Sequence, residues 1–327
     1  VDPGPPSPRG QTSSRLLMHT ASAHDGPMAD TTQVREIDGH EVRITHPEKV
    51  MYPSTGTTKV DVVDYLVSVA PHLIPLAQDR PVTRKRWIHG VGTAEEPGKN
   101  FFHKDIDDDA PEWFTTRIQQ HDDHSNDYPL IDSPAVLAWY AQRGTLEFHV
   151  PQWRFGPRGA RRNPDRIVLD LDPGEGAGLP ECIEVAHLVR ERLDAEGISS
   201  VPVTSGSKGI HLYGRLDGKR DADAVTDFAH ELAQELEQEH PELVTSNIRK
   251  AQREGKVLLD WSQNRAAKTT VTPYSLRGRQ RPTVALPRTW EELDDPGIGQ
   301  VEYSEVGAVL KRRPCPMRAL METAQPK

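Results

Sequence analysis

Apolar and polar residues alternate over several short stretches of the chain, which is the pattern of β-strands with one covered face. The alternation is clearest over residues 41–44 and 146–150, and in the second stretch Glu147 and His149 share one face. Short apolar runs bounded by polar or turn residues predict further strands, at residues 167–171, 201–204, 210–213 and 256–261.

Three longer segments have the capping signals and the spacing of amphipathic helices. The first begins after Thr58 as N-cap, has Asp61 at the third helical position and is expected to end before Pro71. The second and third cover residues 180–196 and 222–240. Strands and helices mixed in this way predict one α+β (or α/β) unit rather than two independent domains.

The two ends of the chain differ from its middle. Residues 1–33 are rich in Pro, Gly and Ser without a period, which predicts a disordered tail. A folded domain that carries the candidate chemistry is expected over residues 34–300. Short helices are expected near the end, so residues 301–327 are assigned to a C-terminal helical tail.

Composition excludes several classes of protein. The chain has 327 residues, of which 35% are hydrophobic, enough for a sizeable core. Its apolar runs are only a few residues long, so no membrane span is expected, and no secretory signal is recognisable. Cys182 and Cys315 are far apart and neither belongs to a Cys-x-x-Cys pair, so a zinc site is not expected. These features predict a cytoplasmic, monomeric protein.

The net charge of −9 argues against a nucleic-acid ligand, but the charge is unevenly distributed. Residues 249–288 contain ten basic and two acidic residues, a net of +8, whereas residues 219–243 have a net of −6. Salt screens charge beyond about 8–10 Å, so a phosphate responds to the local potential. The basic segment is therefore either a solvated face or a binding surface for phosphates.

Two acids, Asp170 and Asp172, stand at the end of the predicted strand 167–171. Side chains two residues apart on a strand share a face and lie about 7 Å apart. Two such carboxylates can bind a pair of divalent ions spaced by about 3.5–4 Å, as phosphoryl-transfer enzymes require. The alternative is a strand end with two solvated acids, and an Asp-x-Asp pair alone does not decide between them.

Two further elements carry candidate chemistry. Residues 205–211, SGSKGIH, combine glycines that leave backbone amides accessible with the side chains of Ser205, Lys208 and His211, which suits a triphosphate. By itself this stretch is equally an ordinary Gly-Ser turn. A second apolar strand ends at Asp260 and enters the basic segment, so a third carboxylate could complete a two-metal site.

The order of these elements resembles the archaeo-eukaryotic primase superfamily. The likeness is closer to the polymerase domain of bacterial ligase D and its stand-alone relatives of the mycobacterial primase-polymerase C type, over residues ~41 to ~295. It rests on the strings TRKRW (83–87), FF (101–102), EFHVPQW (147–153), LDLDPGEG (169–176), PVTSGSKGIHLY (202–213), LDWSQN (259–264) and KTTVTPYSLRGR (268–279). The resemblance implies two mainly antiparallel sheets that flank an active-site cleft, with surrounding helices.

The resemblance also implies a role for each matching residue. The metal ligands for two Mn²⁺ or Mg²⁺ ions would be Asp170, Asp172 and Asp260. Contacts to the incoming nucleotide would come from Lys85, Arg86, His149, Ser205, Lys208, His211, Lys268 and Arg277. A DNA 5′-phosphate across a gap would bind Lys49 and Lys59, and template bases would stack on Phe101 and Phe102.

The implied function is that of a template-dependent DNA repair polymerase that fills short gaps with NTPs or dNTPs, with a preference for ribonucleotides. Its partners would be gapped or primer-template DNA and a separate ligase, with Ku in the alternative role of end joining. One departure puts end bridging in doubt. Residues 121–127 contain three acids and no Lys or Arg, whereas the related segment of ligase D is basic.

Two other classes of protein account for part of the sequence. A glycosyltransferase with an Asp-x-Asp site would explain Asp170 and Asp172, but neither Asp260 nor the basic segment. A non-catalytic single-strand DNA-binding protein needs aromatic and basic residues but no set of three carboxylates.

Overall fold

The computed structural model describes residues 31–121, 123–318 and 320. Its helices, in chain order, are α1 (Lys59–Ala77), α2 (Pro134–Gln142), α3 (Leu179–Ala195), α4 (Ala222–Glu239), α5 (Trp290–Leu293) and α6 (Tyr303–Arg312). Its strands are β1 (Thr32–Ile37), β2 (His40–Thr45), β3 (Val50–Tyr52), β4 (Thr57–Thr58), β5 (Thr83–Arg86), β6 (Phe101–His103), β7 (Thr116–Gln120), β8 (Ser125–Pro129), β9 (Thr145–Val150), β10 (Arg166–Pro173), β11 (Ser200–Thr204), β12 (Ile210–Arg215), β13 (Val244–Thr245), β14 (Val257–Asp260), β15 (Thr270–Val271), β16 (Thr283–Val284), β17 (Leu286–Pro287) and β18 (Val301–Glu302). The 3-10 turns are Lys250–Gln252 and Trp261–Asn264.

The larger sheet has the strand order β13-β14-β10-β12-β11-β17 and is antiparallel except for the pair of β13 and β14. On one face of β10 the apolar side chains are buried against α3 and α4; they are Ile167, Leu169 and Leu171. Because side chains alternate along a strand, Val168, Asp170 and Asp172 point to the opposite face. One strand thus supplies both a core and a row of acids.

The smaller sheet has the strand order β15-β9-β5-β6 and is antiparallel throughout. The apolar side chains of β9 belong to the core that includes α1 and α2; they are Leu146, Phe148 and Val150. Glu147 and His149 alternate with them and occupy the other face, as the sequence pattern predicted.

Helices α3 and α4 cover one face of the larger sheet, and α1 and α2 share a core with the smaller sheet and with Val168, Val203 and Tyr213 of the larger sheet. The side chain of Arg277 connects the two sheets. It donates to the backbone oxygen of Ser205, at the end of the larger sheet, and approaches Glu147 on the smaller sheet. The prediction of an α+β fold with two mainly antiparallel sheets and surrounding helices is therefore confirmed.

Helix α1 is longer than the sequence predicted. It was expected to end before Pro71, but it continues to Ala77 with Pro71 and Pro75 inside it. A proline in a helix removes a backbone hydrogen bond, which favours termination. Here the last turns carry Leu73 and Leu76, which are buried in the core. Burial of this face outweighs the local preference to stop.

Helix α1 is also the one helix in the described part of the chain that is long and apolar enough to cross a membrane, with a mean hydropathy of 1.4. The expectation that no segment spans a membrane stays a prediction, because α1 meets the criterion by length and composition alone. Half of the apolar window is buried inside the fold, and α1 packs on α2. This burial is typical of the core helix of a globular domain.

Most of the tail predicted over residues 1–33 lies outside the described residues, and strand β1 begins at Thr32. At the other end, Val306 and Val309 of α6 and Met317 are buried in the same core as α1 and α2. The division at residue 300 stays a prediction, although the described part beyond it shares the core of the domain.

Candidate active site

The candidate site begins with a row of three polar side chains across the larger sheet. Asp170 on β10 is directly opposite Asp260 on β14 and directly opposite His211 on β12. Directly opposed residues of antiparallel strands have Cα atoms about 4.5–5.5 Å apart. Asp170 and Asp260 therefore meet although ninety positions separate them in the sequence. Asp172 follows on the same face of β10.

The middle position of this row, Asp170, is electrostatically unfavourable for an ionised carboxylate. Burial raises the pKa of Asp170 to about 8, and the charges of Asp260 and Asp172 act in the same direction. Burial lowers the pKa of His211 to about 3, so the imidazole is neutral although its Nε2 lies 3.4 Å from Asp170 Oδ1. Three carboxylates that meet on one face of the sheet, beside a neutral imidazole, are a donor set that fits Mg²⁺ or Mn²⁺, which prefer oxygen ligands.

Two of the three carboxylates, those of Asp260 and Asp172, have protein donors beside them in this structure. Asp260 accepts hydrogen bonds from the amide and hydroxyl of Ser262, at 2.9 and 2.6 Å, and from Gln263 at 3.0 Å. Asp172 faces Arg253, with 3.4 Å between Oδ2 and Nη1. Accordingly, no three acidic, His or Cys side chains in the described ranges form a ready metal cluster. Metal binding would require these side chains to exchange partners.

The turn between β11 and β12 is braced by its own atoms and by a distant residue. The amides of Ser207 and Gly209 each donate to Ser205 Oγ at 3.2 Å. The amide of Gly206 donates to Gln300 Oε1 at 2.7 Å, and Gln300 Nε2 donates back to the Gly209 carbonyl at 3.2 Å. All three amides have partners in this structure, and the expected triphosphate site at this turn stays a prediction.

The same turn packs tightly against the acidic strand. A Cβ atom at Gly209 would lie 1.9 Å from the carbonyl oxygen of Leu171, so only glycine fits there. Lys208 is exposed at the tip of the turn. The turn therefore offers a mobile ammonium group and hydroxyls to an anion.

The smaller sheet contributes a second group of polar side chains. His149 Nε2 lies 2.8 Å from Glu147 Oε2, and Lys85 is paired in register with Glu147 on the neighbouring strand. Burial lowers the pKa of His149. Lys268 is exposed in the loop that leads from Asp260 to β15, the strand that pairs with β9.

Arg86 does not join this group. Its neighbour Lys85 points to the face of Glu147, so Arg86 points to the opposite face. There it is buried and forms an ion pair with Asp107 at 3.0 Å, and it donates to the carbonyl of Arg143. The structure does not bring its guanidinium to the predicted nucleotide contacts.

Phe101 and Phe102 lie on the edge strand β6 and are 42% and 57% exposed. Neither ring is therefore part of the core. The ring of Phe102 lies 5.5 Å from that of His149 and 5.2 Å from Lys85 Nζ. Exposed aromatic rings beside a cationic group are suited to stacking on bases.

Lys49 and Lys59 come together at the start of α1. The hairpin of β3 and β4 turns the chain back, so that the amide of Lys59 donates to the carbonyl of Lys49 at 2.8 Å. Lys59 is buried and its Nζ donates to the Thr45 carbonyl, whereas Lys49 is half-buried. Burial lowers the pKa of Lys59, and the charge of Lys49 lowers it further.

Three supporting residues had not been singled out from the sequence. Arg253 lies in the basic segment and Asn264 in the LDWSQN string, but nothing in the sequence indicates which residue each of them contacts. Asn264 pairs with both backbone groups of Val168, at 2.9 and 2.8 Å, and so attaches the turn after Asp260 to β10. Gln300 carries no local signal, because its partners are ninety residues earlier.

Comparison with known proteins identifies the family of this chain. The family model for the LigD primase-polymerase domain matches residues 58–317. A multifunctional non-homologous end joining protein LigD from Mycolicibacterium smegmatis is 49% identical over 265 residues, 81% of this chain and 34% of the relative. A bifunctional non-homologous end joining protein LigD from Bacillus subtilis is 32% identical over 77% of this chain and 39% of the relative. The chain thus spans about a third of the length of these curated relatives.

A solved structure adds a match in three dimensions. The polymerase domain of Mycobacterium tuberculosis ligase D, in complex with DNA, superimposes with a TM-score of 0.81 at 46% identity, over 86% of this chain and 98% of that one. Neither the glycosyltransferase nor the non-catalytic binding protein is favoured by these matches. The chain belongs to the LigD primase-polymerase domain family and is a DNA-directed nucleotidyltransferase.

Proposed function

We propose that this polymerase fills short gaps in DNA, with Asp170, Asp172 and Asp260 holding two Mn²⁺ or Mg²⁺ ions. The observation that carries the proposal is the row of acids across the larger sheet, with half-buried Asp170 directly opposite Asp260. Bound ions would stabilise the charge that develops on the attacking and leaving oxygens. The protein would place the carboxylates on a rigid sheet and shield them on one side by its core.

The incoming nucleotide would lie between the two sheets. Arg277 extends between them, and its charge acts on Asp170, His211 and His149. Lys208 and Lys268 are exposed and free to fold onto a triphosphate from either side. The remaining contacts would come from Lys85, Ser205 and His211. The preference for ribonucleotides rests on the family resemblance.

DNA would be gripped at two places. The exposed Phe101 and Phe102 would stack on the template. A downstream 5′-phosphate would bind at the start of α1, where Lys49 and Lys59 adjoin. The N-terminus of a helix favours an anion, which supports this assignment. Of the two lysines, Lys49 is the more accessible, so it would make the direct contact.

End joining is a second candidate, since the relatives are named for non-homologous end joining. In that role the chain would act with Ku and a separate ligase. Gap filling is preferred here because residues 121–127, which lead into and begin β8, contain three acids and no Lys or Arg. Either role places the protein inside the cell, at DNA.

Primer extension on a gapped duplex with a downstream 5′-phosphate tests the proposal. The assay uses Mn²⁺ or Mg²⁺ and compares ribonucleotides with deoxyribonucleotides. Asp170→Ala and Asp172→Ala are expected to lower the rate of addition by about a thousandfold or more, because they remove transition-state stabilisation. Duplex affinity should stay within about threefold, since it comes from phosphate contacts. Near-normal extension by either variant would exclude these residues from the mechanism.

A further inference from the structure

Glu147 is a buried carboxylate at the centre of the polar face of the smaller sheet, and none of the roles above uses it. Its side chain is 3% exposed. Both of its oxygens are occupied: Oε2 by His149 Nε2 at 2.8 Å, and Oε1 by the amide of Gly278 at 2.9 Å. A buried charge is retained only where partners compensate it, so these contacts are specific.

The partners of Glu147 belong to two separate parts of the nucleotide site. His149 lies two residues away on the same strand, whereas Gly278 follows Arg277 in the loop near the end of the domain. Arg277 Nε lies 3.4 Å from Glu147 Oε1 as an ion pair, and its Nη1 donates to the Ser205 carbonyl. One carboxylate therefore fixes both the backbone and the charge of this arginine.

Glu147 is poorly suited to touch a nucleotide itself. A carboxylate beside a triphosphate is repelled, and its two oxygens already face His149 and Gly278. Burial alone would raise the pKa of Glu147, but the hydrogen bond from His149 and the charge of Arg277 hold that pKa well below its usual range. The group is thus a permanent anion that acts through its neighbours.

An ionised carboxylate also sets the tautomer of the imidazole. Since Glu147 Oε2 can only accept, His149 Nε2 must carry the proton, and Nδ1 of the neutral ring is left as the acceptor. The ring plane is further fixed by the edge-on contact with Phe102. The orientation of His149 thus depends on Glu147 on one side and on Phe102, a proposed contact to the template, on the other.

We propose that Glu147 is a positioning residue for nucleotide addition, which holds His149 in its Nε2-protonated form and Arg277 in place to receive the triphosphate of the incoming nucleotide. The inference rests on the proposed function of the site. It adds a requirement that the function alone does not contain, namely that nucleotide affinity depends on a carboxylate that makes no contact with the nucleotide.

Glu147→Gln is the decisive variant because it keeps the volume of the side chain. Its amide oxygen can still accept from Gly278, but its NH₂ group then faces His149 and needs an acceptor. The imidazole is expected to move its proton to Nδ1. Nitrogen NMR of the His149 ring in the unliganded protein distinguishes the two tautomers and requires no catalysis.

Steady-state kinetics on gapped DNA supply the second measurement. Glu147→Gln should raise the KM for the nucleotide by about tenfold or more, as expected for loss of a charge-assisted contact, with kcat within about threefold. The affinity for gapped DNA should change less than about twofold. Glu147→Asp keeps the negative charge, but its side chain is shorter by one methylene. It should also raise the KM for the nucleotide, because the carboxylate no longer reaches His149 and Arg277.

Asp165→Asn is the matched control. Asp165 is another poorly exposed carboxylate held by arginines, Arg80 and Arg154, but it lies away from the nucleotide contacts. It should lower stability without changing KM, which separates positioning from general loosening of the fold.

The proposal is overturned if folded Glu147→Gln has a KM within about threefold of the unsubstituted protein, or if the His149 ring keeps its proton on Nε2. Failure of the proposed function would look different, because the unsubstituted protein itself would add no nucleotide. In that case the tautomer measurement still decides the role of Glu147.

Discussion

A single amide side chain, that of Asn264, connects the two acidic strands of the site. It is 1% exposed and pairs with both the N–H and the C=O of Val168, two residues before Asp170. Backbone groups inside the sheet need partners, and β14 is too short to supply them at this point. The Asn264 side chain therefore makes the two hydrogen bonds that a longer β14 would have made with Val168.

Asn264→Ala should consequently lower the free energy of unfolding by about 2–6 kcal/mol, since two buried backbone groups lose their partners at about 1–3 kcal/mol each. Urea unfolding at neutral pH measures this. Asn163→Ala is the control, because Asn163 also donates to backbone carbonyls but is exposed. An equal loss in both variants would contradict the argument.

Asp165 gives a prediction on pH at the same scale. Burial acts to raise its pKa, but the charges of Arg80 and Arg154 prevail and lower it to about 2. A carboxyl whose folded pKa is depressed contributes stability above its unfolded pKa, and this is lost as pH falls through the folded value. The stability that Asp165 contributes is thus lost as the pH falls from about 4 to about 2.

Asp165→Asn should therefore be less stable than the unsubstituted protein by about 2 kcal/mol at pH 6, from a shift of nearly two pKa units. The difference should shrink towards pH 2, where the carboxyl is protonated in both folded and unfolded chains. Urea midpoints at several pH values check this. A difference that stays constant with pH would show that the ion pairs are not its source.

Single-residue roles were only partly predictable. The sequence pattern placed Glu147 and His149 on one face because strand alternation is a local rule. The family resemblance assigned Arg86 to the nucleotide, yet its side chain is buried with Asp107. Side chains alternate along the strand within TRKRW, so Lys85 and Arg86 must face opposite ways. The sequence therefore already indicated that both could not contact the same nucleotide.

At the scale of elements, the start of α1 combines a cap with a cation pair. Thr58 and Asp61 form the capping box that the sequence predicted, with the Thr58 amide donating to Asp61 at 2.8 Å. The box fixes the first turn, and the preceding hairpin brings Lys49 beside Lys59. Local signals gave the start of this helix correctly but not its end, because burial of Leu73 and Leu76 is a tertiary effect.

Lys49→Ala should remove most of the preference for a 5′-phosphorylated gap. The unsubstituted protein is expected to bind a gapped duplex about tenfold more tightly with the 5′-phosphate than without it, and the variant about equally. Fluorescence anisotropy measures both. Lys219→Ala is the control, since Lys219 is exposed in the loop before α4 and pairs with Asp217. Equal preference in the Lys49 variant and the control would refute the assignment.

For the whole molecule, the distribution of charge matters more than the total of −9. The basic segment 249–288 enters the site, while the acidic helix α4 covers the far side of the larger sheet. DNA is thus attracted to one side of the protein and repelled from the other. The hairpin of β7 and β8 is an exception, since its tip is acidic.

This protein alone should bridge two DNA ends poorly. Bridging brings the phosphates of two duplexes together, and acids at that point repel both, most strongly at low salt. An energy-transfer assay with two 3′-overhanging duplexes measures synapsis. Asp123→Lys, at a side chain 86% exposed on the hairpin tip, should increase it. Efficient synapsis by the unsubstituted protein would show that the hairpin does not act in this way.

The sequence was informative about the folded unit as a whole. The apolar runs predicted four of the six strands of the larger sheet to within a residue or two, but not the short strands β13 and β17. It could not predict how strands far apart in the chain pair, because pairing of β10 with β14 depends on the packing of α3 and α4 beneath them. The contact of Gln300 with the turn after β11 could not be predicted for the same reason, because it also joins residues that are far apart in the chain.

The position of Gln300 has a consequence for the newly made chain. During translation the N-terminal parts of a protein leave the ribosome first and begin to fold. The turn that carries Ser205 and Lys208 is synthesised long before Gln300, whose amide braces it on both sides. A nascent chain can therefore bury much of its core while this loop is still loose. The enzyme becomes competent for catalysis only when nearly all of this domain has emerged.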